Sequence, residues 1–220
     1  MSSSFVECPS EFDFASLAGQ PAPMRVQRPR DLKREETRRR LLEAALETFR
    51  QDGMAGARID DIAQKVGVSR GTFYFHFPTK EDVVLEHISR TEAEVAAAVD
   101  ALPAETLIGE VLDRVAVAMA EAWQGDPRLV PEVAAVGLRL AATAPLEQQV
   151  FRLRVAVAAR FRLAVERGEV GNAPLTPEIL SDLYLANVLA GLLAWCSRPE
   201  MPAAEILRGV TTLFLRGAGR

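Results

Sequence analysis

Within a few residues of one another, Arg70, Thr72, Tyr74, Phe75 and His76 carry side chains suited to reading a nucleic acid, with Gly71 among them and Lys80 close behind. A guanidinium can fork onto the O6 and N7 of guanine, an aromatic edge can meet a thymine methyl, and hydroxyls or a lysine can hold phosphates. On a helix, Phe73 and Phe77 fall together and can plug a core, with Arg70 and Tyr74 on their flank. Gly71, Thr72, Phe75 and His76 are then expected on the opposite side. A short helix that buries two aromatics while exposing another, with a histidine and a hydroxyl beside it, is poorly explained by folding alone.

The elements that position these groups can be read from the flanking residues. The reading helix is expected from Ser69 to Phe77. Gly67 can take the left-handed conformation that closes the helix before it, and Ser69 is a good N-cap. That preceding helix runs from Ile59 to Val66 and buries Ile59, Ile62, Ala63 and Val66. Before it, Leu41, Leu42, Ala45, Leu46 and Phe49 recur at spacings of three and four, which predicts a helix over Glu35 to Asp52 with Gly53 as its stop. Pro78 ends the reading helix, and Thr79 followed by Asp82 three residues later opens the next. Further helices are expected near Lys80–Ala101, Ala104–Gln124, Pro127–Ala142, Leu146–Arg167, Pro177–Ser197 and Pro202–Gly217. Sustained period-two alternation is absent, so the fold is expected to be all-α with about nine helices.

The run from Ile62 to Lys80, IAQKVGVSRGTFYFHFPTK, resembles the signature of the TetR family of transcriptional regulators, and Ala45, Phe49 and Gly53 fit that family's first-helix core and stop. The resemblance covers roughly Glu35 to Val84. It implies a three-helix helix-turn-helix DNA-binding domain over residues 31–80, after a flexible arm over 1–30. A helical-bundle ligand-binding and dimerisation domain over 81–220 would follow. It further implies that Arg70, Gly71, Tyr74, Phe75 and His76 touch bases or nearby backbone and that Thr72, Tyr74 and Lys80 hold phosphates, with Ser69 counted beside them. Arg58 departs from the family pattern, which usually has Ser or Thr there to cap the helix and bond a phosphate; Arg58 can make a phosphate contact of its own. Lys80 stands on the first turn of a helix whose dipole favours an acid, so a phosphate explains it better than helix stability does.

Charge along the chain agrees with this division. The total is −4, yet residues 24–80 carry a net +5, against −3 before and −6 after. A basic segment beside an acidic remainder suits a DNA-reading head on a body that does not touch DNA. In the arm, Arg25, Arg28 and Arg30 can reach DNA, although a solvated basic linker is the commoner arrangement. Pro21, Pro23 and Pro29 are expected to break any helix there. Cys8 and Cys196 stand at opposite ends without metal-ligand spacing, so neither a disulfide nor a metal is expected.

An enzyme is disfavoured: there are two histidines, of which His87 has no partner at metal-binding spacing, and neither a phosphate-cradling glycine loop nor a GxSxG element appears. No cofactor is expected. The apolar stretch Leu183 to Trp195, interrupted by Asn187, is shorter than the roughly 20 residues a bilayer requires, and the acidic N-terminus does not look like a signal peptide. A cytoplasmic protein without a membrane span is the expectation.

In the body, Leu185, Val188, Leu189, Leu192, Leu193 and Trp195, with Ile206, Leu207, Val210, Leu213 and Phe214, offer more apolar surface than one helix pair can hide. Gly191 among them suggests close approach of another backbone, and a homodimer through these two helices fits both facts. Met119, Trp123, Leu138, Phe151 and Tyr184 are candidate lining residues of an effector pocket, although ordinary core packing is the commoner use of each. With Arg114, Arg139 and Arg154 the main charges on mid-helix faces, an apolar or weakly acidic small-molecule effector is the expectation. The partners are then double-stranded operator DNA, that effector and a second copy of the chain. The alternative is a DNA-binding dimer without a small-molecule effector.

Overall fold

A computed structural model describes residues 29–143, 152–170, 175–198 and 200–218. The chain divides into two units, Met1–Glu36 and Thr37–Arg220; the packing described below is that of the second. Nine α-helices and no strands occur among the described residues: α1 (Pro29–Gly56), α2 (Ile59–Val66), α3 (Arg70–His76), α4 (Lys80–Asp100), α5 (Ile108–Trp123), α6 (Val130–Thr143), α7 (Arg152–Glu166), α8 (Pro177–Cys196) and α9 (Ala203–Ala218).

The first helix starts earlier than its apolar spacing predicts. Pro29, expected to break a helix, is instead the first residue of α1; at that position a proline loses no hydrogen bond and its fixed φ suits the helix. Gly53 acts as the stop, since at φ 73° and ψ 160° it leaves helical geometry, and the turn through Gly56 lies beyond this kink. The arginines Arg25 and Arg28, Cys8, and Phe151 lie outside the described residues.

Local chemistry accounts for the next three elements. Gly67 closes α2 at φ 75°, a conformation that costs a side-chain-bearing residue strain. Ser69 caps α3 by accepting the Thr72 amide at 3.1 Å. Thr79 and Asp82 form a reciprocal capping box at the start of α4, which satisfies two otherwise orphaned amides.

Behind this head, α4 packs against α5, α6 and α7, while α8 packs against α7 and α9. The far end of α4 is stitched to α7: the Arg160 guanidinium donates to the carbonyls of Val99, Leu102 and Pro103. Helix α8 has twenty residues, longer than the apolar stretch read from the sequence, and by length and composition it is sufficient to cross a bilayer. Its Leu180, Tyr184, Val188, Leu192 and Trp195 are buried in the bundle instead, and Asp182 is ion-paired with Arg154 of α7.

Gly191 has a reason different from the one its spacing suggests. The close approach is between α8 and α9 of the same chain, where a β-carbon on Gly191 would stand 2.6 Å from Leu207 Cδ2 and 3.1 Å from Val210 Cγ2. Leu207, the nearer of the two, is itself fully buried and cannot yield freely. Gly191→Ala is expected to destabilise the chain by about 1–2 kcal/mol, the overpacking cost exceeding the gain of about 1 kcal/mol in helix propensity. Urea unfolding measures it, and a stabilised variant would show that α8 and α9 are free to separate.

Candidate nucleic-acid interface

The reading helix begins from a rigid base. Phe73 and Phe77 are fully buried, with ring centroids 5.9 Å apart, so the helix is plugged into the head by two aromatics on one side. Arg38 of α1 fixes its other end. The Arg38 guanidinium donates to the His76 carbonyl, pairs with Glu86 of α4 at 3.0 Å and stacks 4.4 Å above the Phe77 ring. One side chain therefore joins α1, α3 and α4, and nothing in the motif pattern marks it for that task.

On the outward side, Arg70, Tyr74 and Phe75 are exposed, Phe75 to 65%. Arg70 stands over the Tyr74 ring at 5.6 Å and reaches Asp60 at 3.4 Å, a long pair between two exposed groups that is worth little in water. Its guanidinium can be redirected at low cost. Thr72 is half-buried, and its hydroxyl lies 2.9 Å from that of Ser69. Gly71 has room for a β-carbon, since the nearest atom to it would be Ser69 Oγ at 3.7 Å. A helical glycine costs about 1 kcal/mol against alanine, and the surroundings of Gly71 inside the chain do not require it.

Two positions depart from expectation. His76, assigned to the exposed face, is 6% exposed. It lies three residues after Phe73, about 300° around the helix and so only about 60° from the buried direction, and its ring packs edge-on against Phe75 at 5.2 Å. Lys80, expected to seek a phosphate, donates from Nζ to the Met54 carbonyl at 2.8 Å and to that of Ala55 at 3.4 Å. An ammonium at the end of α1 answers the unpaired carbonyls and negative dipole end there, which explains a lysine on a first turn that would otherwise favour an acid. Arg58 is exposed at the N-cap position of α2 and makes no side-chain capping bond.

A polar joint that the sequence reading missed links the head to the helices behind it. Asp126, in the loop after α5, is 5% exposed. Its Oδ1 accepts from Arg50 Nε and its Oδ2 from Arg50 Nη2 of α1, and His87 Nε2 of α4 stands 3.6 Å from that same Oδ2. Burial alone would raise the Asp126 carboxyl, but the His87 imidazole and the Arg50 guanidinium hold it well below the usual carboxylate range. Arg128 adds a bond to the Arg50 carbonyl at 3.0 Å. The His87 ring meets Trp123 of α5 edge-on at 5.1 Å, so the joint ends on an aromatic wall.

Four of the five candidate pocket residues lie among the described residues, and their settings differ. Trp123 is 3% exposed, and Met119, one turn earlier on α5, is partly buried against the same core. Leu138 is 70% exposed. Tyr184 is buried, and its hydroxyl donates to the Leu112 carbonyl at 2.6 Å and pairs with Thr211 at 3.0 Å, a structural use of the polar atom. Arg139 and Arg154, read as mid-face charges, neighbour Glu81 at 3.9 Å and pair with Asp182.

Comparison with known proteins places these features in a wider group. A family model described as bacterial regulatory proteins of the tetR family matches residues 41–87, the stretch that contains α2, α3 and the first turns of α4. The HTH-type transcriptional regulator UidR of Escherichia coli K12 is 31% identical over 180 residues, covering 79% of this chain and 90% of that protein. The HTH-type regulator SrpR of Pseudomonas putida is 50% identical over 50 residues, but these span only 24% of that protein. Among solved structures, the TetR-family repressor FadR of Thermus thermophilus, in complex with lauroyl-CoA, is 26% identical with a TM-score of 0.64, covering 82% of this chain and 94% of that one.

Proposed function

The chain belongs to the tetR family of bacterial regulatory proteins and is a DNA-binding transcriptional regulator, and from that premise we propose that it acts in the cytoplasm as a homodimeric repressor, released from a palindromic operator by a small-molecule effector. The head over residues 31–80 reads the operator and the body over 81–220 dimerises and binds the effector. One observation carries the reading role: α3 hides two aromatics completely and leaves a third, Phe75, standing in solvent beside Arg70 and Tyr74. Arg70 forks onto guanine, Phe75 meets a thymine methyl, and Tyr74, Thr72, Ser69 and Arg58 hold sugar or phosphate. Gly71 lets the DNA backbone approach the start of α3. His76 supports the helix from within, and Lys80 acts mainly as a cap.

Dimerisation has support from the surface of α8 and α9. Ile179, Leu183, Ala186, Ala190 and Ala194 recur at spacings of three and four and are exposed, as is Leu213 of α9 at 72%. An apolar stripe of that length is a surface for a second copy of the same helices. Met119 and Trp123 are the effector contacts; Leu138 stands in solvent, and the Tyr184 hydroxyl is occupied by Leu112 and Thr211. The Thermus FadR was solved in complex with lauroyl-CoA, and this chain takes its own ligand in the body.

Footprinting on the DNA that flanks its own coding sequence tests the proposal. Two protected inverted halves about one helical turn apart are expected. Protection of one unrepeated half by a monomer overturns the dimeric reading. Operator affinity that no ligand of the body lowers leaves a DNA-binding dimer without an effector.

A further inference from the structure

The direction of α3 is set by what fastens it, because seven residues make only two turns and a helix so short does not hold its own axis in water. Ser69 fastens its start by accepting the Thr72 amide, and the buried Phe73 and Phe77 anchor one side. At its far end the His76 carbonyl is one of those that a helix cannot bond within itself. It accepts from Arg38 Nη1 of α1.

That bond is one of three made by the same guanidinium. Arg38 Nη2 donates to Glu86 Oε2 of α4 at 3.0 Å, and Cζ stands 4.4 Å from the centroid of the Phe77 ring. Glu86 is held in its turn, since its Oε1 accepts from Arg90 Nε at 3.0 Å and Nη2 at 2.8 Å. Burial would raise the Glu86 carboxyl, but the Arg38 and Arg90 guanidiniums hold it below its ordinary value, so it stays an anion beside them. The Arg38 and Glu86 side chains are 28% and 25% exposed, and a pair so open to water adds little to stability. What it adds is direction: two edges and one face of a rigid plane are fixed at once, which the point charge of a lysine cannot do.

Contacts to base edges lose their value once the side chains that make them stray by about 0.5 Å or 10–20°, whereas contacts to the repeating phosphates carry no such register. A loosened α3 should therefore lose discrimination before it loses affinity for DNA as such. We propose that Arg38, backed by Glu86, is a specificity-determining positioning residue, which fixes the angle at which α3 presents Arg70, Tyr74 and Phe75 and so sets the preference for operator over other DNA without touching a base. This rests on the reading of α3 as the operator reader.

Fluorescence anisotropy of the full-length Arg38→Lys and Glu86→Gln variants on operator and scrambled duplexes, across a salt series, tests it. Each variant is expected to lose about tenfold on operator, the worth of roughly one base contact, and less than about twofold on the scrambled duplex, with the salt slope unchanged. In a chain that already carries Arg70→Ala and Phe75→Ala, Arg38→Lys should cost less than about threefold on operator, because the contacts it aims are gone. The chain has two tyrosines, Tyr74 on α3 and Tyr184 buried in the body, so fluorine NMR of the fluorotyrosine-labelled protein reports head and body separately. Both variants should displace the Tyr74 signal and leave that of Tyr184 in place. Equal losses on the two duplexes, an undiminished loss in the doubly substituted chain, or an unmoved Tyr74 signal overturns the positioning role. A salt slope lowered by about one marks Arg38 as a phosphate contact of its own and overturns it as well. Displacement of the Tyr184 signal along with that of Tyr74, or failure of both variants to fold, assigns the pair to stability and has the same consequence. Arg70→Ala and Phe75→Ala, run beside them, keep the two readings apart: if these discriminate between the duplexes and Arg38→Lys does not, only the clamp fails, and if they do not, the reading role of α3 has failed first.

Discussion

Asp126→Asn is expected to cost the protein about 2 kcal/mol at neutral pH, a discounted value for breaking a buried pair because Arg50, left behind, is 40% exposed and can rehydrate. The sign of its pH dependence follows from the direction of the shift. The folded chain holds the Asp126 carboxyl below its ordinary value, so the unfolded chain binds that proton more readily. The contribution is complete above the unfolded value of about 4 and is lost as pH falls through the folded one. Urea melts of the two proteins should thus differ at pH 7 and converge on acidification. A gap that does not change with pH would mean that Asp126 acts through its shape and loop bonds alone, with no charge role. The same substitution loosens α1 from α4 and the Trp123 wall, so ligand bound beside Trp123 should also release operator less completely.

The second large effect separates reading from support. Arg70→Ala and Phe75→Ala are each expected to weaken binding to the preferred operator by about 1–3 kcal/mol, a loss of roughly ten- to a hundredfold, while changing affinity for random DNA much less. Both side chains are exposed, so chain stability should hardly move. Lys80→Ala should do the reverse, because its ammonium answers the carbonyls of Met54 and Ala55. Its loss is expected to lower the melting temperature and to leave the salt dependence of DNA binding close to that of the parent. Fluorescence anisotropy on operator and scrambled duplexes across a salt series decides. Equal losses on both duplexes for Arg70→Ala and Phe75→Ala would show that α3 does not read bases, and a salt slope reduced by about one in Lys80→Ala would restore it as a phosphate contact.

What could be read from the sequence was what is local. The turn from α2 to α3 is specified by Gly67, Ser69 and the Ile59, Ile62, Ala63, Val66 stripe, all within a dozen residues, and each behaves as its type dictates. His76 was misplaced because a seven-residue helix makes a coarse wheel, on which the position before Phe77 lies nearer the core than the far face. The joint formed by Arg50, Asp126 and His87 was illegible for another reason. Its members are as many as 76 positions apart, and a charged residue does not announce its partner until the chain has folded. Gly191 carried a true sign of close approach, but spacing does not say whether the neighbour belongs to the same chain.

The stitching of Arg160 to Val99, Leu102 and Pro103, reinforced by the bonds of Arg167 to the carbonyls of Ala104 and Thr106, turns the far end of α4 into a fulcrum. A helix of 21 residues is about 30 Å long, so a tilt of about 5° about that end carries Lys80 through nearly 3 Å. Glu92, about 12 Å from the fulcrum by the same rise per residue, moves only about 1 Å. A shift of about 1 Å at the middle of α4 is therefore amplified more than twofold where the helix meets the head, and the stitched end needs the least repacking.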